Sequence, residues 1–185
     1  MANFILANRY PTIGLDAPVL DWEGRLLAGE DWRFELYGGP AVDLLAPAVN
    51  REPFGPSRVV VGLYTAGYFR DTHSMLTVAT IPGEYPWAWL QVRCWSLRVG
   101  ESYEAVAALG LGGYGESAIF KAAGGYFEYT IGDVPRPLAE LQSFTVRQIV
   151  PEPATWALLA VGSLGLWWVR RQGKARNKSC SVVGL

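Results

Sequence analysis

A nucleophile needs a base beside it, and this chain offers few pairs that could serve. It has two cysteines, Cys94 and Cys180, and one histidine, His73. Cys94 sits two and four residues from Val92 and Leu90, the spacing of one face of a strand, so a buried thiol behaving as a small hydrophobe is expected there. One histidine and one body cysteine cannot make a zinc site without recruiting two carboxylates from elsewhere. Asp16, Asp21, Glu23, Glu30 and Asp31 crowd the first third, and a hard cation such as calcium could use them, but their spacing is not that of an EF-hand loop. They are expected as solvated turn carboxylates. Any two acids could meet across a glycosidic bond, yet nothing in the sequence selects a pair. Gly110–Gly115 (GLGGYG) is not flanked by the strand and helix that phosphate-binding loops require, so it is expected as a flexible turn. No nucleophile, base and orienting group can be nominated together. The expectation is therefore a protein that is not an enzyme and needs no cofactor or metal.

The strongest binding feature is aromatic. Trp87, Trp89, Gln91, Arg93 and Trp95 share one parity, so a regular strand over 88–95 lays three indoles and two hydrogen-bonding groups along one sheet face. Such a row suits sugar rings, through apolar contact and hydroxyl bonding. The competing reading is that the same face packs against loops or a second sheet, with Arg93 stacked on an indole.

The carboxyl-terminal segment has a different chemistry. Pro151, Glu152 and Pro153 precede sixteen residues, Ala154 to Val169, without a charge. Trp156, Leu158, Leu159, Val161, Leu164, Leu166, Trp167, Trp168 and Val169 give this run its apolar surface. As a helix it measures about 24 Å, short of the roughly 30 Å of hydrocarbon in a bilayer. The flanking Trp156, Trp167 and Trp168 suit the headgroup level, and Arg170 and Arg171 can snorkel outward. Lys174, Arg176 and Lys178 follow, with no acidic residue after the run. A buried core helix would need neither the prolines nor this basic cluster. The cationic end is therefore expected in the cytoplasm, and the body on the other side of a lipid bilayer.

These features resemble the PEP-CTERM sorting domain of bacterial exported proteins. Pro151, Glu152 and Pro153 match the motif, Ala154 to Val169 the transmembrane span, and Arg170 with Arg171 the basic stop. The resemblance implies transient anchoring in the inner membrane and processing near the triplet by an exosortase, a membrane-embedded cysteine transpeptidase. The chain would be its substrate, with the body passing to the periplasm, the cell surface or the extracellular matrix. Residues 172–185 extend further past the arginines than is usual in that family. The body also resembles uncharacterised PEP-CTERM proteins of Verrucomicrobia type, through Asn8 and Arg9, Asp16 to Pro18, Leu36–Pro40 (LYGGP), Gln91–Trp95 (QVRCW), Ser102–Ala105 (SYEA) and Leu141–Phe144 (LQSF). That second resemblance implies architecture and fate but no activity.

Charge follows the same division. Residues 1–150 carry 11 basic and 16 acidic groups, and residues 151–185 carry 5 basic and 1 acidic. An acidic body offers no footprint for nucleic acid, while the basic tail suits an anionic leaflet. Export requires a leader, and Met1–Tyr10 lacks both a basic start and an adequate apolar run. An upstream leader, lost through a late start codon or by removal, is the simplest expectation; a leaderless, unexported copy is the rival.

What must position these groups is a sheet. Trp32, Phe34 and Leu36 alternate with Arg33, Glu35 and Tyr37, the period of a half-buried strand. Leu90, Val92 and Cys94 alternate with Gln91 and Arg93, and Phe144 and Val146 with Thr145 and Arg147. Val59–Tyr64 and Met75–Ile81 add β-branched runs. The best helix in the body is Ser102–Leu109, stopped by the glycines after it. Glycine and proline clusters punctuate the remainder, with Asp133–Leu138 as an extended crossing before a last strand, Gln142–Ile149. The expected fold is all-β, an antiparallel β-sandwich or jelly-roll-like domain over 1–149. The sorting signal follows at 150–171 and a basic cytoplasmic tail at 172–185. The expected function is a non-enzymatic surface or matrix protein sorted by an exosortase. The alternative is a carbohydrate-binding or carbohydrate-degrading module, displayed by the same signal, with extracellular polysaccharide as partner.

Overall fold

A computed structural model describes residues 1–50, 57–71, 75–125, 127–128, 132–133 and 135–149. The chain divides into two compact units, Met1–Ile149 and Val150–Leu185. His73 and the whole sorting segment, with its expected helix and tail, lie outside the described residues.

Two five-stranded sheets are built, in chain order, from β1 (Ala2–Ile5), β2 (Trp32–Gly39), β3 (Ala46–Pro47), β4 (Val49–Asn50), β5 (Ser57–Arg58), β6 (Leu76–Val78), β7 (Trp87–Ser96), β8 (Tyr114–Glu116), β9 (Phe120–Ala123) and β10 (Arg136–Pro137). The first sheet runs β10-β1-β6-β4-β5; the second runs β8-β7-β2-β3, with β9 also paired to β7. Shorter two-stranded pieces join Val19–Leu20 to Phe144–Thr145 and Leu63–Thr65 to Tyr68–Phe69. The described body is thus mostly strand with one short helix, as its alternating sequence requires.

The alternation translates directly into layers. Phe34 and Leu36 of β2, and Ala88, Leu90, Val92 and Cys94 of β7, turn inward and meet Ala2, Phe4, Leu76 and Val78 of the first sheet in one core. β2 and β7 pair antiparallel from Trp32 opposite Ser96 to Gly39 opposite Trp89. The sheets come close at Gly38, where a Cβ would lie 2.6 Å from Val78 Cγ1 and 2.8 Å from Leu90 Cδ2. Any side chain there would have to push the layers apart.

The sheets are not purely antiparallel. β10 runs parallel to β1, and Phe144–Thr145 runs parallel to Val19–Leu20. Pro137 explains the edge position of β10, since it lacks the N–H that a central strand would need. The last strand is also shorter than the expected 142–149. Beyond Thr145 the chain stays stitched by single bonds, Val146 N to Leu20 O (3.0 Å) and Arg147 N to Tyr114 O (2.8 Å).

Two segments behave differently from their sequence expectation. The first residues, too few to show a strand period, are core: Ala2 and Phe4 are fully buried in β1, between β6 and β10. GLGGYG is not a flexible turn throughout. Gly110 ends the helix in a left-handed conformation (φ 69°), and Tyr114 and Gly115 already belong to β8. Glycine is needed at 115 because a Cβ would approach Val146 Cα to 3.0 Å.

Asn8 ties the first segment to two others. Its buried amide donates to Ala17 O (2.9 Å) and Gly67 O (2.8 Å) and accepts from Phe69 N (2.9 Å). Neighbouring Arg9 lies over the Tyr68 ring at 5.1 Å. The Asn8-Arg9 pair therefore fastens loops to the sheet edge.

Candidate functional site

The site to test is the outer face of the second sheet, since β7 is one regular strand over Trp87–Ser96. Its inner residues are core, so Trp87, Trp89, Gln91, Arg93 and Trp95 all fall on the outer side. That side is covered along most of its length. Trp95 is 3% exposed and packs with Tyr103, Val106 and Tyr114 beneath the helix α1 (Tyr103–Leu109). Its indole N–H finds no partner among the described residues. Trp89 is half-buried. Opposite it, Leu44 O passes within 2.1 Å of where a Gly39 Cβ would stand, so the loop over 41–45 crosses the face there. Trp87 alone of the three stays open, 40% exposed, with the Lys121 ammonium 5.4 Å from its ring centre.

The helix exists for local reasons. Ser102 caps it by accepting from Ala105 N at 3.2 Å, Glu104 sits in the first turn, and Gly110 supplies the left-handed stop. Tyr103 and Val106 then face the sheet.

Between helix and sheet lies a polar cluster that the sequence did not announce. Glu35 on β2 is fully buried and accepts from Arg58 Nε at 2.6 Å and from the same guanidinium's Nη2. Arg58 also donates to the Tyr37 hydroxyl at 3.0 Å, and that hydroxyl donates to Glu104 on α1. The Arg93 guanidinium stacks over Tyr37 at 4.0 Å and Tyr103 at 5.0 Å, while its Nε donates to Gln91 Oε1 at 2.9 Å. Tyr103 donates to Glu116 on β8 at 2.7 Å. Parity alone placed Glu35 and Tyr37 beside Gln91 and Arg93. Nothing local in the sequence pointed to Arg58, which arrives from the edge of the other sheet.

The electrostatics describe a closed network. Burial, then the bond to Glu104, pushes the Tyr37 hydroxyl well above the phenol range; burial and Glu116 do the same for Tyr103. Burial works to raise Glu104, but the Tyr37 hydroxyl, its own backbone and the Arg58 and Arg93 charges outweigh it and hold the carboxyl below its ordinary value. Each carboxylate is thus spent on a named partner, which makes the cluster a clamp for α1.

The remaining chemical candidates are equally constrained. Cys94 is fully buried, and burial pushes its thiol far up, so no thiolate is available for attack. Among the described residues no three His, Cys, Asp or Glu side chains converge to hold a metal. Of the five early acids, Asp21 and Glu23 share Arg25, at 2.9 and 2.5 Å, and Asp31 pairs with Arg98 at 3.1 Å. No helix among the described residues is long and apolar enough to cross a membrane.

No curated protein and no solved structure matches the chain, and nothing in the comparisons supports the resemblance of the body to Verrucomicrobia-type proteins. The segment beyond Ile149 is different: residues 150–172 match the family model described as the PEP-CTERM protein-sorting motif, a signal that implies processing by an exosortase and membrane-associated sorting toward the cell surface.

Proposed function

We propose that this chain is an exported, non-enzymatic passenger, held in the inner membrane by a helix over 154–169. An exosortase then processes it for the cell surface or the extracellular matrix, where the body is structural or adhesive. The observation that carries the reading is the sorting motif at 150–172, directly following a body that is one compact unit up to Ile149. The uncharged run bordered by tryptophan and arginine supports the membrane step. Engagement of Glu35, Glu104 and Glu116 by Arg58, Tyr37 and Tyr103 supports a non-enzymatic body, because all three carboxylates are held in structural hydrogen bonds.

The test is Glu152→Ala in an exosortase-bearing host. The full-length, membrane-associated form should accumulate while the body keeps its melting behaviour. Unchanged maturation would reject the sorting assignment.

A second reading, a carbohydrate-binding body, is favoured by one observation. The open Trp87 ring borders a cavity of about 250 Å³ that Ala123, Arg136, Pro137 and Glu140 help to line. A sugar ring stacked there would have polar groups within reach.

A further inference from the structure

We infer that the body carries a binding site for a neutral hexose oligosaccharide in the cavity between the Asp21–Arg25 turn and the Asp31–Arg98 pair. This deepens the adhesive reading and rests on it for access to outside glycans. The cavity measures about 400 Å³ and is lined by Trp22, Trp32, Leu27 and Ala28 together with the two ion pairs. That size lies within the usual range for small-ligand sites, about 300–1,000 Å³.

The aromatic wall is held out deliberately. Trp22 is 44% exposed, although an indole this large is normally buried for its area. It sits on a turn that cannot easily relax. Asp21 Oδ1 accepts from Glu23 N (2.8 Å) and Arg25 N (2.9 Å), and the backbone closes with Asp21 N to Arg25 O (2.8 Å) and Gly24 N to Asp21 O (3.0 Å). Gly24 takes φ 81°, which an L side chain rarely adopts. Fixing the backbone from which the ring projects lowers the entropy lost on binding.

The polar wall is equally prepared. Asp31 Oδ2 accepts from Ser96 Oγ (2.7 Å) and pairs with Arg98 Nε (3.1 Å), while Leu97 N bonds Asp31 O (2.9 Å). Asp31 Oδ1 and the terminal nitrogens of Arg98 keep free hydrogen-bonding capacity among the described residues. The lining holds two aspartates and two arginines, and Glu23, paired to Arg25 at 2.5 Å, leaves the charged groups around the cavity at a formal −1. A phosphate or uronate would meet a slight net repulsion, and a cation would compete with the guanidinium that each carboxylate already holds. A neutral ring that offers hydroxyls to the Asp31–Arg98 pair, and C–H groups to an indole, satisfies both walls.

The experiment is isothermal titration of the full-length chain in detergent with cellotetraose, laminaritetraose and maltotetraose, and with oligogalacturonate as the charged comparison. At least one neutral tetraose should bind saturably. Trp22→Ala should weaken it about tenfold, as expected for loss of a stacking surface, and Arg98→Gln should weaken it without altering the melting curve. Absence of saturable binding by all three neutral probes, preference for oligogalacturonate, or unchanged affinity in Trp22→Ala overturns the proposal. Loss of binding in Trp87→Ala alone also overturns it, and moves the ligand to the other face. Binding as expected by a body that never leaves the cell would keep this site and reject the adhesive role.

Discussion

Replacing Asn8 probes whether one side chain holds three segments together. Its amide makes three buried bonds, to Ala17 O, Gly67 O and Phe69 N, at 2.8–2.9 Å. A buried bond is worth about 1 kcal/mol net, and a partner left unsatisfied costs about 1–3 kcal/mol. Asn8→Ala removes three bonds and leaves Ala17 O and Phe69 N without that partner, while Gly67 O keeps Val19 N at 2.9 Å, so a loss of roughly 3 kcal/mol is expected. For a body of this size each kcal/mol moves the midpoint by about 2–4 °C, so melting should fall by some 6–12 °C. Asn8→Asp separates the bonds from mere volume. A carboxylate in that place keeps the acceptor facing Phe69 N but turns a bare oxygen toward two carbonyls, so the folded state favours the protonated form. Its pKa is then raised on folding, and its stability is greatest below the unfolded value of about 3.9 and is lost as pH rises through the folded value. Urea melts at pH 4 and pH 7 read this directly. The reasoning fails if Asn8→Ala loses less than about 1 kcal/mol, or if Asn8→Asp gains nothing relative to the parent on acidification.

Gly38→Ala should cost about 1–3 kcal/mol by overpacking between the sheets. Pairing it with Val78→Ala should give a double variant less damaged than the sum of the singles, and strict additivity in denaturant melts would deny the close approach. The Tyr37–Glu104 clamp carries a pH dependence of the opposite sense to Asn8→Asp. Glu104 is depressed on folding, so its contribution is present above the ordinary value of 4.5 and is lost as pH falls through the lower folded value. Glu104→Gln should flatten that acid limb, and an unchanged limb would place the titration elsewhere.

Local periodicity made much of the body legible. Half-buried strands alternate, so β2 and β7 could be read from Trp32–Tyr37 and Leu90–Cys94, and the Ser102 cap with its glycine stop marked the helix to within a residue. What stayed hidden depends on partners distant along the chain. β1 is four residues long, too short for a pattern, and is recognisable as core only once β6 and β10 lie beside it. Glycines that signalled a loose turn at 110–115 instead let Val146 pass closely over β8. The Glu35–Arg58 pair joins two sheets across 23 positions, and no spacing rule anticipates it. Parity put the tryptophan row on one face, but which of its rings stay open was decided by the loop over 41–45 and by α1.

The manner in which the last described residues are fastened bears on what a cut leaves behind. Val146 and Arg147 are laced to Leu20 and Tyr114, Gly113 N bonds Arg147 O at 2.9 Å, and Ile149 Cγ1 lies 3.0 Å from where a Cβ on Gly113 would project. Scission directly after Ile149 would leave a product whose last residues are already sewn into the body. Scission a few residues earlier would remove part of the weave, and the freed product would be easier to unravel than its precursor.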